Sequence, residues 1–142
     1  MAVAPHEFLQ AKAQFFDLEP LVTDRDNWVT SVAVTLRGIL GSANTSLRAR
    51  PQDYRLLVDV GRLRDELPVV WIFSPSDSEI QHVNIFRPRE TCPFTGDRRP
   101  TLCWGTTDSA WRHIPQENRS LSNFLEAARQ VLADTNMQSR AR

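Results

Sequence analysis

Apolar positions along this chain follow three rhythms, each predicting a different kind of element. From Pro5 onward, Phe8, Ala11, Phe15 and Leu18 fall on one helical stripe. Pro5 suits a first helical turn and Pro20 stops the run, so the spacing predicts a helix over about 5–18. Thr23 to Asn27 is a polar connector. Alternation then sets in: Trp28, Thr30, Val32, Val34 and Leu36 share one face, and Ser31, Ala33, Thr35 and Arg37 take the other. That is the period of a half-buried strand, ended by Gly38 or Gly41. Gly41 to Gln52 has the composition of a long hairpin connection. A second strand follows with Tyr54, Leu56, Val58 and Val60 inward and Arg55 and Asp59 outward. After a charged link from Gly61 to Leu67, the run Pro68 to Phe73 is apolar on both faces, as a central strand covered above and below should be.

From Ser74 to Ile114 regular periodicity is lost, which predicts a long irregular segment. Such a segment inside a small domain tends to carry function. It holds both cysteines, two of the three histidines and two of the four tryptophans. Arg87-Pro88-Arg89 and Asp97-Arg98-Arg99-Pro100 make its middle polar and turn-rich. Beyond it, Leu121, Phe124, Leu125, Ala128, Val131 and Leu132 repeat at three and four, the stripe of an amphipathic helix. Ser120 is its expected N-cap and Asn136 its terminator, with residues 137–142 a frayed tail. Helix, antiparallel meander, irregular segment and C-terminal helix together predict an α+β fold in a single domain spanning 1–142.

Composition narrows the function classes. The chain has 142 residues, 41% hydrophobic and 24% charged, with a formal net charge of zero. That balance argues against nucleic acid or an anionic membrane as partner. No run approaches the ~18 apolar residues of a membrane span, and no basic-then-apolar leader opens the chain. A cytoplasmic location is the expectation. In a reducing compartment the two cysteines, Cys92 and Cys103, are expected as free thiols rather than a disulfide. Lys12 is the only lysine among the 17 basic residues. Arginine-favouring codons account for that bias, and an enzyme carrying a reactive acyl group would also gain from having few amines.

The stretch Leu102 to Trp111, Leu-Cys-Trp-Gly-Thr-Thr-Asp-Ser-Ala-Trp, marks Cys103 as a candidate nucleophile, with His82-Val83-Asn84 upstream. Cys103 lies beside Gly105, which would let a partner's backbone approach, and Arg98 and Arg99 are candidates to stabilise its thiolate. The plain alternative is a packing cysteine between Leu102 and Trp104.

This order of parts, from about residue 5 to 136, resembles the ubiquitin-conjugating (UBC-like) family. In that family a His-Pro-Asn motif precedes an acceptor cysteine, a tryptophan follows, and a helix ends near an asparagine. By position Cys103 matches the acceptor cysteine, Asn84 the motif asparagine, His82 the motif histidine, Trp111 the tryptophan and Pro68 the proline before the third strand. Val83 stands where the family has proline, and Ile85 to Thr101 is an insertion beside the site. The chain has one C-terminal helix where the typical member has three, so it is most similar to the shortened bacterial type linked to antiphage defence. The resemblance implies a conjugating enzyme. It would accept a ubiquitin-like protein from an activating enzyme as a Cys103 thioester and pass it to a lysine on a target protein, with no cofactor and no metal. Asn84 would stabilise the oxyanion, and Asp108 would orient the incoming amine, although an aspartate in a Thr-Asp-Ser turn also serves simply as a turn former. His82 and His113 have an equally plain role in loop packing, and Cys92 is either a resolving thiol or a buried residue.

Three rivals are distinct in kind. An inactive module of the same fold would bind a ubiquitin-like protein without chemistry. A zinc site from His82, Cys92, Cys103 and His113 has suitable ligands but lacks the close Cys-x-x-Cys pairs of structural sites. A cysteine hydrolase would need a histidine to activate Cys103.

Overall fold

A computed structural model describes residues 2–39, 51–75 and 84–134. Helix α1 (Pro5–Gln14) begins on Pro5 as expected but stops short of residue 18. The Lys12 ammonium ends the run by donating to the Leu18 carbonyl at 2.8 Å and the Phe16 carbonyl at 3.3 Å, so the sole lysine fixes the turn out of the helix. The chain then enters strand β1 (Glu19–Thr23), which periodicity did not reveal. All five of its residues are exposed at a sheet edge, and one of them is Pro20, so it carries no inward-outward alternation to detect. The turn into the next strand is an Asx type. The Asp24 carboxylate accepts the backbone N–H groups of Asp26 and Trp28, and Asn27 takes the left-handed conformation with φ 65°.

Strands β2 (Val29–Ile39), β3 (Gln52–Asp59) and β4 (Val70–Ser74) form the predicted meander. Their connection over 40–50 lies outside the described residues, as do Asn136 and the tail. The stretch expected to be irregular is largely ordered. It contains strands β5 (Ile85–Thr91) and β6 (Arg98–Leu102) and helix α2 (Thr107–His113). Residues 85–102 therefore form an antiparallel hairpin, and among the described residues the sheet has six strands in the order β1-β2-β3-β4-β6-β5. Periodicity missed it because β5 is an edge strand, exposed along most of its length and carrying Pro88 and three charged residues.

Helix α3 (Leu121–Ala133) buries the predicted stripe in full, and Ser120 caps it by accepting from the Asn123 N–H at 3.1 Å. It packs beside α1 on one face of the sheet, over Val32, Val34, Leu36, Tyr54, Leu56, Val58, Val70 and Ile72. Burial pushes the Tyr54 phenol up to about 12. A buried carboxylate ties the helices together. Glu7 on α1 pairs with Arg64 and accepts the Leu121 N–H at 3.1 Å, at the start of α3. The opposite face of the sheet is covered as well. Ala33, Leu57 and Trp71 cluster there with Cys92 and Phe94 from the hairpin tip. Strand β2 is thus buried on both faces over Val32 to Val34, rather than half-buried, because the tip of the β5–β6 hairpin packs into the cluster on its second face.

Candidate functional site around Cys103

Cys103 follows the last residue of β6, where the sheet runs out and the chain must turn toward α2. The turn is taken at Gly105, whose φ of 57° is accessible to glycine at no steric cost and whose missing Cβ faces open space. The Cys103 backbone N–H donates to the Asn84 carbonyl at 2.7 Å, so the cysteine is held to the start of β5. The residue is 7% exposed, against 0% for Cys92. Both thiols are free, as expected. Cys92 lies in the hairpin-tip cluster behind the sheet, which fits the packing alternative.

Asn84 is buried and its side chain is occupied. The amide nitrogen donates to Val131 O at 2.9 Å and Asp134 O at 3.0 Å, at the C-terminus of α3. An amide has two hydrogens, so with both engaged it has none left for an oxyanion at Cys103. In this arrangement Asn84 instead joins the cysteine's backbone to the end of the long helix.

The two indoles that follow Cys103 are anchors. Trp104 donates through Nε1 to Pro68 O at 3.1 Å, and Trp111, from α2, to Leu63 O at 3.2 Å. Both therefore clamp the charged link before β4. Both also meet Phe124 of α3, with ring centroids 5.6 Å and 6.4 Å away. This gives the tryptophan eight residues after the cysteine a definite structural role: it seats the post-cysteine segment on the core.

The other candidates are dispersed. Asp108, in the first turn of α2, pairs with Arg112 at 3.3 Å on the surface. His113 is exposed and its Nδ1 lies 2.8 Å from Ser109 O, within its own helix. His82 lies outside the described residues. Arg99 does not serve the thiolate, contrary to expectation. Its guanidinium bonds Asp97 and Phe73 O, toward the far end of the β4–β6 pair. Arg98 is one residue further from Cys103 and is exposed. The carboxyl of Asp97 is held below the usual range by the Thr95 hydroxyl and then by Arg99. Among the described residues no three His, Cys, Asp or Glu side chains gather as a metal site would require.

What sequence reasoning missed is a groove. Strands β4 and β6 pair at Trp71 and Thr101, and the groove opens beside the segment that leads into β4. The opening, about 210 Å³, is lined by Leu67, Pro68 and Val69 on one side and by Leu102 and Trp104 on the other. Phe86 and Arg89 of β5 complete it, the guanidinium lying 4.1 Å from the ring centre. No periodic signal marked it, because Phe86 and Arg89 are three apart and share the groove only through the register shift in β5.

Comparison with protein-family models, with curated proteins and with solved structures finds no match for this chain. Among the described residues the structure is α+β, with three α-helices and a six-stranded antiparallel sheet, and the chain neighbours of Cys103, Leu102 and Trp104, line a surface groove. Among the described residues no helix is long and apolar enough to cross a membrane.

Proposed function

We propose that this chain is a conjugating enzyme of the ubiquitin type, carrying a ubiquitin-like protein as a thioester on Cys103. The observation that carries the proposal is the setting of that residue. It leaves the sheet at the end of a strand, its N–H fixed at Asn84 O, and both its chain neighbours wall an open groove. The helix–meander–cysteine–tryptophan–helix order supports the same reading. In the first exchange the Cys103 thiolate attacks the partner's thioester carbonyl, a new C–S bond forms and the activating enzyme's thiolate leaves. In the second, a neutral target amine attacks the thioester carbonyl, the C–N bond forms as the C–S bond breaks, and the amine gives up a further proton to solvent as the Cys103 thiolate leaves. A bacterial antiphage pathway and a cytoplasmic setting complete the proposal by analogy.

Incubating the chain with the activating enzyme, the ubiquitin-like protein and ATP of its own source tests this. The expected product is an adduct cleaved by thiol reductant, retained in Cys92→Ala and lost in Cys103→Ala. An adduct that persists without Cys103 overturns the assignment.

A second reading, an inactive UBC-like module that binds its partner without acylation, draws on the 7% exposure of Cys103 and the occupied Asn84 amide. Native-state alkylation separates the two. An acceptor thiol is expected to react with iodoacetamide at least about tenfold faster than buried Cys92. Equal, slow labelling of both favours the binding module.

A further inference from the structure

Asn84 and Cys103 stand opposite each other where the β5–β6 ladder ends. Ile85 pairs with Leu102, and the bond from the Cys103 N–H to Asn84 O at 2.7 Å continues that register by one residue. Opposed residues of an antiparallel ladder have Cβ atoms about 4.5–5.5 Å apart. A carbonyl carried on the Cys103 sulfur therefore comes within reach of the Asn84 side chain. In the structure the amide hydrogens are engaged elsewhere, one by Val131 O at 2.9 Å and one by Asp134 O at 3.0 Å.

The helix end that engages them is weakly closed. Helix α3 has no basic residue in its last turn, and its C-cap is Asp134, a carboxylate at the negative end of the helix dipole. Asp134 is extended, with φ −90° and ψ 130°, instead of taking the left-handed conformation of a glycine cap. Its N–H reaches Val131 O at 3.3 Å, a long bond. Ala133 and Asp134 are both exposed, whereas Val131 and Leu132 are buried. Asp134 can thus come away while the apolar stripe of α3 stays in place, which is the kind of local opening that costs least. Its departure releases one of the two amide hydrogens.

We propose that the end of α3 is an autoinhibitory contact: Asp134 O withholds the Asn84 amide from Cys103, and release of that residue makes Asn84 the oxyanion donor for acyl transfer. The inference rests on the thioester reading above. As the lone pair of the neutral amine forms the C–N bond, the carbonyl π electrons pass to oxygen. The released Asn84 N–H donates a hydrogen bond to that oxygen and keeps its proton. Collapse restores the carbonyl, breaks the C–S bond and expels the Cys103 thiolate, while the surplus proton on nitrogen goes to solvent.

Two exposed substitutions in the full chain move the contact in opposite directions. Ala133→Gly loosens the last turn, and Asp134→Arg tightens it by placing a cation at the carbonyl end. Solvent exchange of the Asn84 side-chain amide hydrogens is read in a nitrogen–proton correlation spectrum, with the signals assigned by their loss in Asn84→Ala. It is expected to quicken about threefold in Ala133→Gly and to slow about twofold in Asp134→Arg. Single-turnover discharge of the Cys103 adduct to free lysine is expected to move by the same factors, because the open fraction sets both. In an Asn84→Ala background neither substitution should alter discharge, whereas an effect of the helix end that bypassed the amide would persist there. If Asn84→Ala folds poorly, the order of discharge rates among Ala133→Gly, parent and Asp134→Arg still decides. Amide exchange indifferent to both substitutions, or discharge that does not follow the exchange, overturns the inference. The exchange measurement needs no activating enzyme, so two failures are distinguishable. Responsive exchange without any adduct removes the acyl-carrier reading and the catalytic role of the amide with it. An adduct whose discharge ignores the helix end removes the autoinhibition alone.

Discussion

Replacing Phe124 with alanine is expected to destabilise the protein by about 3–5 kcal/mol, the cost of deleting a fully buried aromatic ring and leaving a cavity. Phe124 is 0% exposed and is the common neighbour of Trp104 and Trp111. The loss therefore falls on the segment that follows the cysteine as well as on α3. For a domain of this size it corresponds to a fall in Tm of roughly 10–20 °C. Near-ultraviolet circular dichroism of the indoles should lose intensity below the new transition. Phe124→Leu, which keeps most of the volume, should cost about 1–1.5 kcal/mol and preserve that signal. A loss under about 1 kcal/mol for the alanine variant would mean that the Cys103 segment is not seated on this ring cluster.

Asn84→Asp is the second change of large expected effect, although it barely alters shape. The amide now donates to two carbonyl oxygens at the end of α3. A carboxylate there has no hydrogens to donate and is repelled by both oxygens and by the negative end of the helix dipole. We expect about 2–4 kcal/mol of destabilisation at pH 7. The penalty should shrink as pH falls. Burial and the facing carbonyls raise the introduced group's pKa in the folded state above its unfolded value, so the native state binds more protons and stability rises toward acid. Urea unfolding of variant and parent at pH 7 and pH 4.5 measures this as a gap that narrows on acidification. A constant gap would place the amide away from those carbonyls. Carried into the conjugation assay, the variant also addresses how Asn84 acts. If the residue works only by holding Cys103 and α3 together, the adduct yield should follow the fraction folded. A loss of transfer in fully folded protein at low temperature would instead indicate direct contact with the reacting carbonyl.

The basis of these expectations was unevenly visible in the residues. Asn84 could be singled out by its place in a His-x-Asn triplet, but its partners are 47 and 50 residues away on another element. No local pattern encodes which carbonyl a side-chain amide will meet. Arg99 shows the converse. Its closeness to Cys103 along the chain suggested help for the thiolate, yet a strand carries residues steadily apart, and Asp97 and Phe73 take its donors. Arg89 drew attention only as part of a polar turn. The hairpin places it in the lining of the groove beside Leu67 to Val69, which its position in the chain does not indicate.

Periodicity alone sufficed for α1, for the three meander strands and for the stripe of α3. In each of these an apolar face recurs at 3.6 or 2 residues because one side must leave water. The capping role of Ser120 was equally local. Edge strands β1 and β5 escaped because neither buries a full face, so the signal that betrays a strand was absent from them. The double covering of β2, the clamp of both indoles on the link before β4 and the groove beside Cys103 arise from contacts between residues tens of positions apart. Such contacts are fixed by how complementary surfaces fit once the chain has packed, which composition and spacing do not specify.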